Sequence, residues 1–126
     1  MLSSAKLVAF APTTNFGKSR SFYEGVLGLK FISQDGLALV METNGTTVRV
    51  TKVGRFTPAQ FTILGWEVED IQDEVAALER KGVKFEHFPG LEQDALGIWA
   101  APGGAKLAWF KDPDGNILSL SEHEKR

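Results

Sequence analysis

Leu27-Gly28-Leu29-Lys30-Phe31 returns in outline as Lys81-Gly82-Val83-Lys84-Phe85 in the second half of the chain. In both places a glycine closes a run with helical spacing and opens a short apolar stretch, the pattern of a helix C-cap followed by a strand. Before the first copy, Ala5 to Ala11 (AKLVAFA) reads as a strand that the Pro12-Thr13-Thr14-Asn15 cluster stops. Asn15 is a suitable N-cap, and Phe16 to Leu27 places Phe22, Val26 and Leu27 near helical spacing. After it, Lys30 to Ser33, Leu37 to Glu42 and Thr46 to Thr51 read as three strands. Asp35-Gly36 and Asn44-Gly45, preferred pairs for two-residue hairpin turns, separate them.

The second half repeats this order. Phe61 to Val68 reads as a strand, and Asp70 to Lys81 as a helix with Ile71, Val75, Ala76 and Leu78 on one face. Val83 to Phe85 is the next expected strand, and Asp114-Gly115 stands before the last strand as Asn44-Gly45 does before its own. Between Glu86 and Pro102 the second half is longer than the first, so the segment Gly90 to Trp99 (GLEQDALGIW) is an inserted loop, a common place for ligand contacts. The expected class is α+β: two β-α-β-β-β modules in one domain spanning residues 1–126, with module one over 5–51, a linker over 52–59 and module two over 60–122. One module would expose a face of its sheet; two related modules can bury a shared surface.

Composition narrows the function. The net charge of −2 comes from 14 basic and 16 acidic residues spread along the sequence, without the basic cluster that a phosphate backbone requires, so nucleic acid is not an expected partner. No apolar stretch approaches the roughly 20 residues that span a bilayer. With no export pattern at residues 1–6, the expected location is the cytoplasm. The absence of cysteine removes disulfides, thiolate metal sites and cysteine nucleophiles, leaving carboxylates, hydroxyls and two histidines for any chemistry.

Three stretches carry a resemblance to a known family. Ser19-Arg20-Ser21-Phe22-Tyr23-Glu24-Gly25-Val26-Leu27-Gly28-Leu29 resembles the S-x-x-F-Y-x-x-x-L-G-L helix of the vicinal oxygen chelate superfamily of glyoxalases, extradiol dioxygenases and bleomycin-resistance proteins. Gly65 to Ile71, with Leu78 and Arg80 to Val83, is similar to that family's second strand and helix, and Trp109 to Asn116 to its D-P-D-G-N turn. The resemblance spans essentially the whole chain. It implies sheets curled around a cup, usually a divalent metal in that cup, and usually a homodimer.

In metal-dependent members, histidine and glutamate on inward positions of the first and last strands of each module hold Zn, Ni, Fe or Mn. Counting from Asn15, Gly45, Asp70 and Gly115 places Val8, Arg49, Ile63 and Ser119 at those positions, and a metal or other cofactor is therefore not expected. His87 reads as a loop residue and His123 as part of a solvated tail, and a site from His87, Glu92 and Asp94 has no supporting spacing.

Alternation along the strands then sorts the cup residues. The expected inward set is Val8, Phe10, Leu39, Met41, Thr47, Arg49, Ile63, Gly65, Glu67, Leu107, Trp109, Ile117 and Ser119, whereas Trp66 turns to the helix. From these, Phe10, Met41, Arg49, Glu67, Trp109 and Ser119, with Trp99 at the rim, are the candidate ligand-binding residues. Arg49 either grips an anionic group of a ligand or pairs with Glu67. The expected function is metal-free binding of a small, anionic or aromatic molecule. The alternative is a diverged lyase, isomerase or dioxygenase-type enzyme, using Glu67 as base and Arg49 to stabilise an enolate-like anion, or a metal enzyme with displaced ligands.

Overall fold

A computed structural model describes residues 1–124. The chain separates into two compact units, Met1–Pro58 and Ala59–Arg126, and the division falls inside the expected linker. Each unit holds one four-stranded mixed sheet of the α+β class. The orders are β1-β4-β3-β2 and β5-β8-β7-β6, the same topology twice.

In the first unit a single 3₁₀ turn, Leu2–Ser4, precedes β1 (Val8–Thr13). Asn15 caps the following helix α1 (Phe16–Arg20): its Oδ1 accepts the Lys18 N–H at 3.0 Å. The buried hydroxyls of Thr13 and Ser19, 2.6 Å apart, tie strand end to helix. The helical path then widens into a π-turn, Ser21–Val26, closed by the Leu27 N–H on the Phe22 carbonyl at 2.9 Å. The single α-helix expected over Phe16 to Leu27 is thus two helical types in series. The wider turn places Tyr23, which is fully buried, with Phe22 edge-on to it at 5.4 Å between ring centroids.

Strands β2 (Lys30–Gln34), β3 (Ala38–Thr43) and β4 (Thr46–Lys52) form the antiparallel meander, and β1 runs parallel to β4. The turn between β3 and β4 has Asn44 at φ 46° and Gly45 at φ 82°, the mirror-type geometry that matches strand twist and that these two residues tolerate. Asp35-Gly36 behaves differently. The Asp35 carboxylate accepts the Leu37 and Ala38 N–H groups at 2.8 and 2.9 Å, which makes an Asx-type loop and moves the start of β3 from Leu37 to Ala38.

The second unit runs β5 (Thr62–Glu67), α2 (Ile71–Arg80), β6 (Trp99–Ala100), β7 (Lys106–Lys111) and β8 (Ile117–Glu122). Asp70 caps α2, with its Oδ1 accepting the Asp73 N–H at 3.1 Å. From the end of β8, Glu122 Oε1 accepts the Ile71 N–H at 3.0 Å. The expected strand Val83 to Phe85 does not form. Both residues are buried, and Phe85 packs at 5.3 Å on Phe110, so apolar packing holds this stretch without a ladder. The fourth strand comes instead from the far end of the inserted loop, where Trp99 and Ala100 pair with Leu107 and Lys106. The turn after β7 is held by Asp112, a buried carboxylate that accepts the Asp114 and Asn116 N–H groups and the Asn116 side-chain amide.

Candidate functional site

Each sheet has a face packed under its helix and a face turned away from it, and register decides which residue goes where. In the first unit the two-residue turn fixes Thr43 opposite Thr46, hence Met41 opposite Val48 and Leu39 opposite Val50. Directly paired residues share a face, so Met41 and Leu39 join Ala11, Val48 and Val50 in the core, and Met41 has no exposed surface. This corrects the inward placement expected for Met41 and Leu39. Val40 and Glu42 take their places: Phe10, Arg49 and Val40 form one cross-strand row, and Val8, Thr47 and Glu42 the next. Phe10 is 60 % exposed and Arg49 half-buried. Within this unit Arg49 forms no salt bridge. Its charge acts together with the two backbone N–H groups on Asp35, whose carboxyl is held below its ordinary pKa first by the bond from Ala38, then by that from Leu37, and least by Arg49.

The second unit assembles a larger set. Trp109, Ser119 and Gly65 lie side by side on β7, β8 and β5, and the next row is Trp99, Leu107, Ser121 and Glu67. The helix-side face carries Leu64, Trp66, Leu118, Leu120, Ala108 and Phe110. Ile63 leaves the alternation: the register passes from Thr62 opposite Ile117 to Leu64 opposite Leu118, and Ile63 is the extra residue of a bulge. Thr62 therefore holds the position expected for Ile63.

The rings at one end of this face touch. Trp99 lies 6.2 Å from Trp109 with 32° between planes, and Phe88 meets Trp109 edge-on at 5.4 Å. All three are half-buried, so part of each ring remains open. Gly65 adds a shelf beside them. A Cβ there would come within 2.8 Å of Ser119 Oγ, so glycine leaves room for that hydroxyl over bare backbone.

At the other end, Glu67 Oε1 lies 3.6 Å and Ser121 Oγ 3.2 Å from His123 Nε2. Glu67 and His123 are well exposed. Carboxylate and hydroxyl converge on the same ring nitrogen, so Glu67 cannot orient the imidazole from its other nitrogen as a nucleophilic triad requires. The cluster can donate and accept hydrogen bonds, and a serine nucleophile activated by an oriented base is not assembled. Arg49 belongs to the first unit and Glu67 to the second, where the carboxylate of Glu67 faces the His123 ring.

Sequence reasoning assigned His123 to a solvated tail. The available signal was the alternation Ile117, Ser119, Ser121, His123, which carries the open face of β8 one step past the strand. Phe88 was also missed; nothing in its local sequence marks it, because a loop brings it to Trp109. His87, Glu92 and Asp94 are exposed loop residues, and Asp94 spends its carboxylate on the Leu96 and Ile98 N–H groups.

The model of the Glyoxalase/Bleomycin resistance protein/Dioxygenase superfamily matches residues 7–120 of this sequence. The chain belongs to this superfamily. No curated protein matches the sequence. Among solved structures it is similar to a glyoxalase family protein from Bacillus anthracis, at 15 % identity, covering 96 % of each chain, with a TM-score of 0.74. It is also similar to a lactoylglutathione lyase from Agrobacterium tumefaciens, at 16 % identity over 94 % of this chain and 93 % of that one (TM-score 0.73). An antibiotic-binding protein from a Streptomyces species is 22 % identical over 98 % of this chain and 99 % of that one (TM-score 0.72). At these identities the likeness is one of fold.

The superfamily's divalent metal can be tested against the residues present. Val8 and Arg49 in the first unit, and Thr62 or Ile63 with Ser119 in the second, offer hydroxyls and a guanidinium with no imidazole or carboxylate, and neither pair fits a Zn, Ni, Fe or Mn ion. Among the described residues, no three His, Asp or Glu side chains are grouped to hold a metal ion, and no helix is long and apolar enough to cross a membrane.

Proposed function

We propose that this superfamily member binds a small planar aromatic molecule on the open face of its second sheet, without a metal ion. The observation that carries the reading is the half-open wall of Trp109, Trp99 and Phe88 standing beside the Gly65 shelf. Apolar walls with a few placed polar groups are the usual form of a small-molecule site. Ser119, Ser121 and the Glu67–His123 pair lie in line with the wall and would hydrogen-bond a polar substituent at the far end of the ring system.

A binding role is favoured over a lyase or isomerase by the surroundings of Glu67. Its side chain is 74 % exposed, so water rather than an apolar wall surrounds the expected base. A second reading, anion binding through Arg49, rests on Arg49 standing next to Phe10 without a salt bridge in its own unit, a guanidinium beside an exposed ring.

Tryptophan quenching by a panel of aromatic acids and aromatic amines, with metal analysis of the same purified protein, tests the reading. Saturable quenching that Trp109→Ala abolishes, in protein without stoichiometric metal, is the expected result. Stoichiometric Zn, Ni, Fe or Mn, or retained binding in Trp109→Ala, overturns it. Loss of binding in Arg49→Ala alone transfers the site to the first unit.

A further inference from the structure

The aromatic wall depends on a loop, and one side chain clasps that loop from within. Gln93 Oε1 accepts the Phe88 N–H at 2.7 Å, while Gln93 Nε2 donates to the Glu86 carbonyl at 2.9 Å and to the Gly97 carbonyl at 2.7 Å. Both amide hydrogens and one oxygen lone pair are therefore in use. The three partners sit on opposite arms of the loop, so the amide joins the arm carrying Phe88 to the arm leading to Trp99. The backbone of Gln93 also bridges Trp99 directly. These two arms supply the rings that flank Trp109.

Other bonds in the loop do different work. Asp94 closes the turn to Ile98, through its Oδ1 to the Leu96 and Ile98 N–H groups and its own N–H to the Ile98 carbonyl. The Glu86 N–H anchors the start of the loop on the Trp109 carbonyl at 2.8 Å. The Phe85–Phe110 packing lies on the helix side of the sheet. Truncating Gln93 would leave two carbonyls and one N–H without this partner in a half-buried place; water must enter to satisfy them, and the two arms separate.

We propose that Gln93 is the positioning residue of the aromatic site: it sets Phe88 and Trp99 against Trp109 at the angle a planar ligand needs. The inference rests on the reading of that wall as the ligand surface, and the test separates the two.

Two tryptophans at 6.2 Å couple in the ultraviolet when their mutual orientation is fixed, giving a circular-dichroism couplet that Trp99→Phe removes and so assigns. Gln93→Ala is expected to lose the couplet with the secondary-structure signal intact. Gln93→Glu, which keeps an acceptor for Phe88 but faces two carbonyls with oxygen, is expected to lose it as well. Affinity for anilinonaphthalene sulfonate should fall about tenfold or more in both variants, the scale of losing one or two net hydrogen bonds. A couplet that persists in both variants overturns the proposal, and so does wild-type affinity in variants that have lost it. A wild-type protein that binds no aromatic probe, with the couplet lost in both variants, sinks the binding reading and leaves Gln93 as the residue that orders the wall.

Discussion

Asp35 and Gly65 show how much one position can carry. The Asp35 carboxylate is bonded by two backbone N–H groups and lies near the Arg49 charge, so its pKa is lowered on folding. A lowered carboxyl pKa means that the unfolded chain binds the proton more readily, so the stabilisation is present above the unfolded value and is lost as pH falls through the folded one. The stability difference between wild type and Asp35→Asn is therefore expected to be constant near neutral pH. It should shrink on acidification below about 4, where an ordinary aspartate protonates; urea unfolding at a series of pH values measures it. At Gly65 the issue is space. Gly65→Leu would place a branched side chain on the shelf and push the Ser119 hydroxyl aside, so probe quenching should disappear with only a modest fall in melting temperature, because the hydroxyl alone has to turn. Quenching of wild-type strength in that variant would place the ligand elsewhere.

The meander and the inserted loop behave in opposite ways as elements. The β3–β4 hairpin is set by its turn: Gly45 at φ 82° is in a conformation that costs an L-residue with a side chain about 1–2 kcal/mol. Gly45→Ala is expected to lower unfolding free energy by that amount in denaturant titration, without changing probe affinity in the second unit. The same turn made the faces of β3 readable in advance. Once Asn44-Gly45 is a two-residue turn, Met41 must oppose Val48, and its assignment to the ligand face was a register error of one residue, which reverses every side chain in a strand. The inserted loop offers no such rule. Its one strand, Trp99–Ala100, is two residues long, and its shape comes from Gln93 and Asp94 side chains bonding to backbone groups several residues away. Apolar pattern and glycine punctuation cannot report such bonds, which explains why Val83–Phe85 was expected as the strand that Trp99–Ala100 supplies.

For the whole molecule, the duplicated topology accounts for the superfamily match, and the residues at the expected metal positions carry neither imidazole nor carboxylate. We expect native mass spectrometry to give a homodimer, as the resemblance implies, with no first-row metal in its mass; a monomer at micromolar concentration or a metal adduct would contradict the respective expectation. What the sequence by itself determined is what local rules and periodicity control. These are the two modules, the caps at Asn15 and Asp70, the Asn44-Gly45 turn, and the shared face of Gly65, Glu67, Trp109 and Ser119, since alternation needs only that each strand be correctly paired. Only the tertiary structure decided the rest. The bulge at Ile63, the core position of Met41, the approach of Phe88 to Trp109 and the meeting of Glu67 with His123 each depend on which backbone or side chain arrives from a distant part of the chain. Local sequence fixes a residue's own dihedral preferences and leaves those partners open.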